Sequence, residues 1–418
     1  MNIFYGTNFE SPGNLHLLLF VLLTAAAFTT STILLLFTKA NDIRPTFSRP
    51  LLLKIVYIGT SVVQYSISII LLITIFEMLI FNEYNKIFLL LAVYFSRFWA
   101  VLVIGVLSFR FIQWFRSVRS ASLLVYALVF GAVLFLFLVT IPLLTEQFSN
   151  QFELIYPRDY TTVILTVLVP SRSIAFIYGL TNYVLPLMII FSWILTVSLL
   201  KPYSVKISKK IFWTVVSVPL LYQFFSFAVR DAGLITDPAF FGLIYSKQFQ
   251  FLFAISYQVS GLLFGMAFLN IARKMKRRPI RRYLIISSVG IVSLFSSVQP
   301  GMPFYAAYPP FGLVTLVFLG VSSYMLLVGM LGIAANVSRD AELRREIYKG
   351  LEVDSDMLKN IGMAETQLEI EKRVTLLADK TRMSGEMSAH VDPSIEDVKS
   401  MVEEIMNELH PKGRDDGH

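Results

Sequence analysis

Apolar residues in this chain come in long, nearly unbroken runs. They follow neither the alternation of a half-buried strand nor the three-four spacing of a surface helix. From Leu17 to Phe37 only threonine and serine interrupt the apolar series. A helix needs roughly twenty such residues to cross the hydrocarbon of a bilayer. Nine segments of this kind are predicted, at about 16–37, 55–81, 87–108, 121–144, 175–200, 211–229, 249–272, 283–298 and 312–335. The fold class is therefore all-α, a polytopic integral membrane bundle, with Pro186 expected to kink the fifth span.

The pattern departs from this rhythm twice. Between Glu146 and Ser173 the run Thr161–Val169 is rich in β-branched residues and stops at Pro170-Ser171-Arg172, too short to span as a helix. It is expected at the outer surface, and as a re-entrant loop only if protein buries it. After Asn336 the apolar runs end. Residues 1–336 form the membrane domain and 337–418 a tail, with a charged helix expected at 338–377, a linker at 378–391 and an amphipathic helix at 393–409. In that last helix Asp392 can cap, Pro393 suits the first turn, and Ile395, Val398, Val402, Ile405 and Leu409 share one face.

Composition and charge add orientation. The chain has 418 residues, 56% hydrophobic and 15% charged, against about one quarter charged in soluble proteins. Residues 1–336 carry 24 Lys/Arg and 9 Asp/Glu, whereas 337–418 carry 12 and 19. The basic excess is not spread as a nucleic-acid surface would be. Seven cations lie in Arg273–Arg282 alone, and the four inner connections of a nine-span chain hold 18, the outer ones 5. Cations collect on the cytoplasmic side, so the N-terminus is expected outside and the acidic tail in the cytoplasm, at the plasma membrane. Arg110, Trp114, Arg116 and Arg119, after the third span, are expected as anchors at the inner interface. A weak echo of Lys54-Ile55-Val56-Tyr57 in Lys210-Ile211-Phe212-Trp213 would fit a four-plus-four duplication.

The tail's apolar face needs cover. Three arrangements are open: the acidic tail folds back on the inner-loop cations, the 395–409 face takes a protein partner, or the tail stays loosely solvated.

Candidate chemistry is sparse. Glu77 and Arg97 sit well inside apolar spans, where ionisable groups are costly. Counted from their shared outer turn they are offset by about 9 Å along the helix axes, and Gln64, Tyr65 or Tyr94 could bridge them. They form either a polar lock between the second and third spans, or a ligand, anion or coupling-ion site. Arg158, Asp159, Arg172, Arg230 and Asp231 lie at the outer end, as interfacial anchors or as the rim of an external pocket below the proline-rich loop 299–311. There is no cysteine, and the four histidines are His16, His390, His410 and His418. With no metal-ligand spacing, nucleophile elbow or phosphate loop, no cofactor and no enzyme is expected.

Tyr156–Thr162, Val169–Ser173, Asn182–Pro186 and the exit Val337–Ile347 resemble a group of uncharacterised multi-pass membrane proteins from ammonia-oxidising archaea. That group carries no established activity, so the resemblance implies no site residues. The exit also resembles in style the linkers below sensory membrane domains of histidine kinases, without the kinase. The expected function is a signalling-type receptor that passes an external signal to its tail by contact. A solute transporter or channel, and a non-catalytic accessory subunit, are the alternatives.

Overall fold

A computed structural model describes residues 14–42, 50–81, 86–149, 172–202, 208–231, 247–298, 313–340, 342–344 and 356–387. Every extended element among them is an α-helix, and none is a strand. The helices are α1 (Asn14–Asp42), α2 (Pro50–Phe81), α3 (Lys86–Val118), α4 (Ala121–Ser149), α5 (Arg172–Leu200), α6 (Lys209–Asp231), α7 (Lys247–Lys274), α8 (Arg278–Ser297), α9 (Leu313–Arg339) and α10 (Asp356–Met387). Seven of these, α1 to α5 with α8 and α9, are long and apolar enough to cross a membrane, which makes this a membrane protein. Helices α6 and α7, also expected as spans, pack on each other and on α5.

The bundle has an inside and an outside. In α9 an 18-residue window within Leu316–Arg339 is 89% buried, whereas the corresponding windows of α1 and α2 are only 28% and 33% buried. Helix α9 is the central post, touched by α1, α2, α3, α8 and α10. Side chains such as Ile33, Ile58, Val62 and Phe76 on α1 and α2 face outward, a surface suited to lipid.

Glycine lets the post sit so close. A Cβ on Gly329 would lie 2.9 Å from the Ser287 amide nitrogen and 3.0 Å from the Tyr283 carbonyl oxygen of α8. Small residues bring transmembrane backbones into contact, where dispersion holds them in place of a hydrophobic drive.

Three sequence expectations change here. Helix α3 continues to Val118, and its Trp114 is fully buried instead of lying at a lipid interface. The helix expected over 338–377 is interrupted: α9 ends at Arg339, and Asp340 caps a new turn by accepting from the Leu343 amide at 2.9 Å. The stretch expected as linker from 378 is helical as far as Met387, since Ala378, Lys380, Arg382 and Met383 favour helix and outweigh one serine and one glycine. The outer segment 161–172 before Arg172, the loop 299–311, and the 393–409 helix with its 395–409 face lie outside the described residues.

Candidate functional site

Two polar constellations stand out in this apolar bundle. The first is on α3, in the first half of its apolar span. Successive residues of a helix are turned by about 100°, so Ser96, Arg97 and Trp99 point in three directions and reach three helices. Ser96 Oγ donates to the Leu316 carbonyl of α9 at 3.1 Å. Trp99 Nε1 donates to Thr60 Oγ1 of α2 at 2.9 Å. Arg97, only 1% exposed, donates from Nη1 to Thr140 Oγ1 of α4 at 3.2 Å, and its guanidinium lies 5.7 Å from the Phe137 ring centre. Thr140 Oγ1 in turn donates a hydrogen bond to the Phe137 carbonyl at 2.7 Å, so the arginine is tied to the α4 backbone.

Two of the residues expected beside Arg97 have other surroundings. Gln64 donates to Ser31 Oγ at 2.8 Å and binds α2 to α1. Tyr65 is 66% exposed on the outward face of α2. Glu77 is half-buried near the end of α2. Arg97 thus links α3 to α4, a partnership not foreseen. Of the outer candidates, Arg172 opens α5, Arg230 and Asp231 end α6, and Arg158 and Asp159 lie outside the described residues.

The second constellation sits at the end of the bundle where α10 docks. Its first three turns present Met357, Ile361, Ala364 and Leu368, spaced four, three and four, toward α9, α3 and α4. Gly362 packs so closely that a Cβ there would lie 2.2 Å from Val337 Cγ1 of α9. Among these apolar contacts lies a carboxylate. Glu365, 5% exposed, receives Arg110 Nη2 at 2.6 and 2.7 Å on its two oxygens and Trp114 Nε1 at 2.7 Å. Arg110 also donates from Nη1 to Gln113 Oε1 at 2.9 Å and lies over the Trp114 ring.

Around this clasp are lesser ties. Asn360 donates to Ser122 Oγ of α4 at 2.9 Å. Arg344 donates to the Ser338 carbonyl and to Thr366 Oγ1. Arg277, in the basic connection between α7 and α8, pairs with Glu342 at 2.9 Å. The carboxyl ends of α3 and α9, the start of α4 and the α7–α8 connection therefore share one end of the molecule with α10.

A buried carboxylate costs several kcal/mol unless it is paired and hydrogen-bonded. Glu365 has both kinds of partner, so the clasp can hold only one register of α10 on α3. Sequence reading placed Arg110 and Trp114 at this end but did not identify Glu365. The signal was present as the 357–361–364–368 stripe, too short to register as a heptad repeat. Among the described residues no three His, Asp or Glu side chains converge on a metal-sized space. Comparison with protein-family models, with curated proteins and with solved structures finds no match.

Proposed function

We propose that this chain is a nine-span plasma-membrane protein, N-terminus outside, that works as a signalling-type receptor. Movement of α9 would carry an external signal to the cytoplasmic tail. One observation carries this reading: the most buried helix of the bundle leads at its end to α10, which is clasped onto α3 through Glu365. A shift of α9 against α3 then strains a contact that has one good geometry, and a packed interface of that kind responds in discrete steps. The concentration of cations at the α10 end supports its placement in the cytoplasm.

A transporter or channel is the second reading, favoured by the burial of the Arg97 charge within the apolar span of α3. An accessory subunit, with the 395–409 face recruiting a partner, would leave Arg97 purely structural. Purified protein in liposomes separates these. A receptor is stabilised against heat by its solute without moving it, and Arg97→Ala leaves flux at background. Solute-dependent flux that Arg97→Ala abolishes would replace the receptor by the transporter.

A further inference from the structure

Beside the clasp, α3 and α10 line an open surface cleft of about 340 Å³, within the size range of small-ligand sites. Two sets of charges line it beyond the Arg110–Glu365 pair. Arg116 of α3 and Lys372 of α10 are cations, and Glu369 and Glu371 of α10 are carboxylates. Among the described residues neither cation forms an ion pair or hydrogen bond with either carboxylate, and Glu371 receives Gln367 Nε2 of its own helix at 3.4 Å. Opposite charges therefore face one space without closing on each other. A ligand carrying both signs would complete both sets, which a simple anion would not.

The surroundings indicate what kind of ligand. Residues three, four and seven apart share a helix face, so Phe109 and Ile112 lie on the face of α3 that carries Arg116. They are 59% and 38% exposed, on the apolar span of that helix. An acyl chain following Phe109 and Ile112 would deliver its headgroup to the cleft. We infer that the α3–α10 cleft binds a zwitterionic phospholipid headgroup, its phosphate on Arg116 and Lys372 and its ammonium on Glu369 and Glu371. Because the two helices contribute opposite walls, the lipid bridges membrane core and tail. The inference rests on the docked tail of the functional proposal, but not on any signal passing through it.

The test is native mass spectrometry of the full chain released from nanodiscs, with phosphatidylethanolamine, phosphatidylglycerol or a phosphate-free glycolipid as the probe. Wild type should retain one phosphatidylethanolamine at least tenfold over the glycolipid. Arg116→Ala with Lys372→Ala should lose that retention tenfold. Glu369→Gln with Glu371→Gln should instead prefer phosphatidylglycerol, a swap that mere unfolding of the tail would not produce. Soluble phosphoethanolamine should fail to displace the lipid at equal concentration, and displacement would assign the cleft to a soluble compound. Equal retention in wild type and both variants, or a wild-type preference for phosphatidylglycerol, overturns the proposal. Hydrogen exchange of α10 on the same samples reports docking separately, so loss of lipid with a docked tail does not touch the functional reading.

Discussion

Replacing Glu365 with alanine removes the acceptor of the buried Trp114 indole and the part-buried Arg110 guanidinium, and leaves the latter without its counter-charge. Breaking a buried ion pair by deleting one partner costs about 3–5 kcal/mol. The Arg110 side chain keeps 16% exposure and its bond to Gln113, which favours the lower end, about 3 kcal/mol. Against this stands the apolar contact of Met357, Leu358 and Ile361, all 2% exposed or less, at about 1.5–3 kcal/mol each. Packing therefore outweighs the clasp, and α10 should remain docked in Glu365→Ala while opening roughly a hundredfold more often, since 1.4 kcal/mol is about a factor of ten. Hydrogen exchange reads that opening directly. Amides of residues 357–368 should lose about two orders of magnitude of protection in Glu365→Ala, and about one in Glu365→Gln, whose amide oxygen still accepts one bond. Glu342→Ala is the control. Its pair with Arg277 is comparably short at 2.9 Å, but Glu342 is 76% exposed, and exposed pairs contribute about 0–1 kcal/mol. Protection in α10 within threefold of wild type in Glu365→Ala would show that the clasp holds nothing.

Four further substitutions have expected outcomes, three at close-packed or open glycines and one at the buried arginine. Gly329→Ala should lower thermal stability in detergent by about 2 kcal/mol or more, because backbone atoms of α8 block the new methyl. Gly105→Ala, with its nearest neighbour at 3.8 Å, should be neutral or gain up to about 1 kcal/mol from helix propensity. Gly362→Ala should weaken α10 docking by about 1–3 kcal/mol, read again by exchange of 357–368, since Val337 must move aside. Arg97→Met should leave the melting transition within about 1.5 kcal/mol of wild type, because exchanging a buried charge for an apolar chain is often neutral and Thr140 keeps its bond to Phe137. A large loss in Arg97→Met would make that arginine a structural lock instead of a candidate ligand contact.

The helical membrane architecture was legible because it depends on run length and charge placement, both local properties of the chain. The runs from Leu17 to Phe37 and from Ala121 to Leu144 needed no partner to be read as α1 and α4. Long-range pairing was less accessible. Arg97 was identified as costly, but its bond to Thr140 of α4 was not, because that depends on which neighbours α3 presents to it. Trp114 looked like an interface anchor because its sequence context is the end of a span. It is buried because α10, some 250 residues later, covers it. Glu365 was one acid among many in an acidic tail, and only docking distinguishes it from Glu369 or Glu371. The interruption near Asp340 was hidden because the charged run from Ser338 to Ile347 reads as one helix, and an aspartate within it is told from an N-cap only by the backbone around it.

The receptor reading requires the α10 end, with its basic connections, to lie in the cytoplasm. Because the chain has no cysteine, single substitutions report their side without background. Lys276→Cys, in the α7–α8 connection, should react with a membrane-impermeant maleimide only after cells are permeabilised, whereas Asn82→Cys should react in intact cells. Labelling of Lys276→Cys in intact cells would contradict the account.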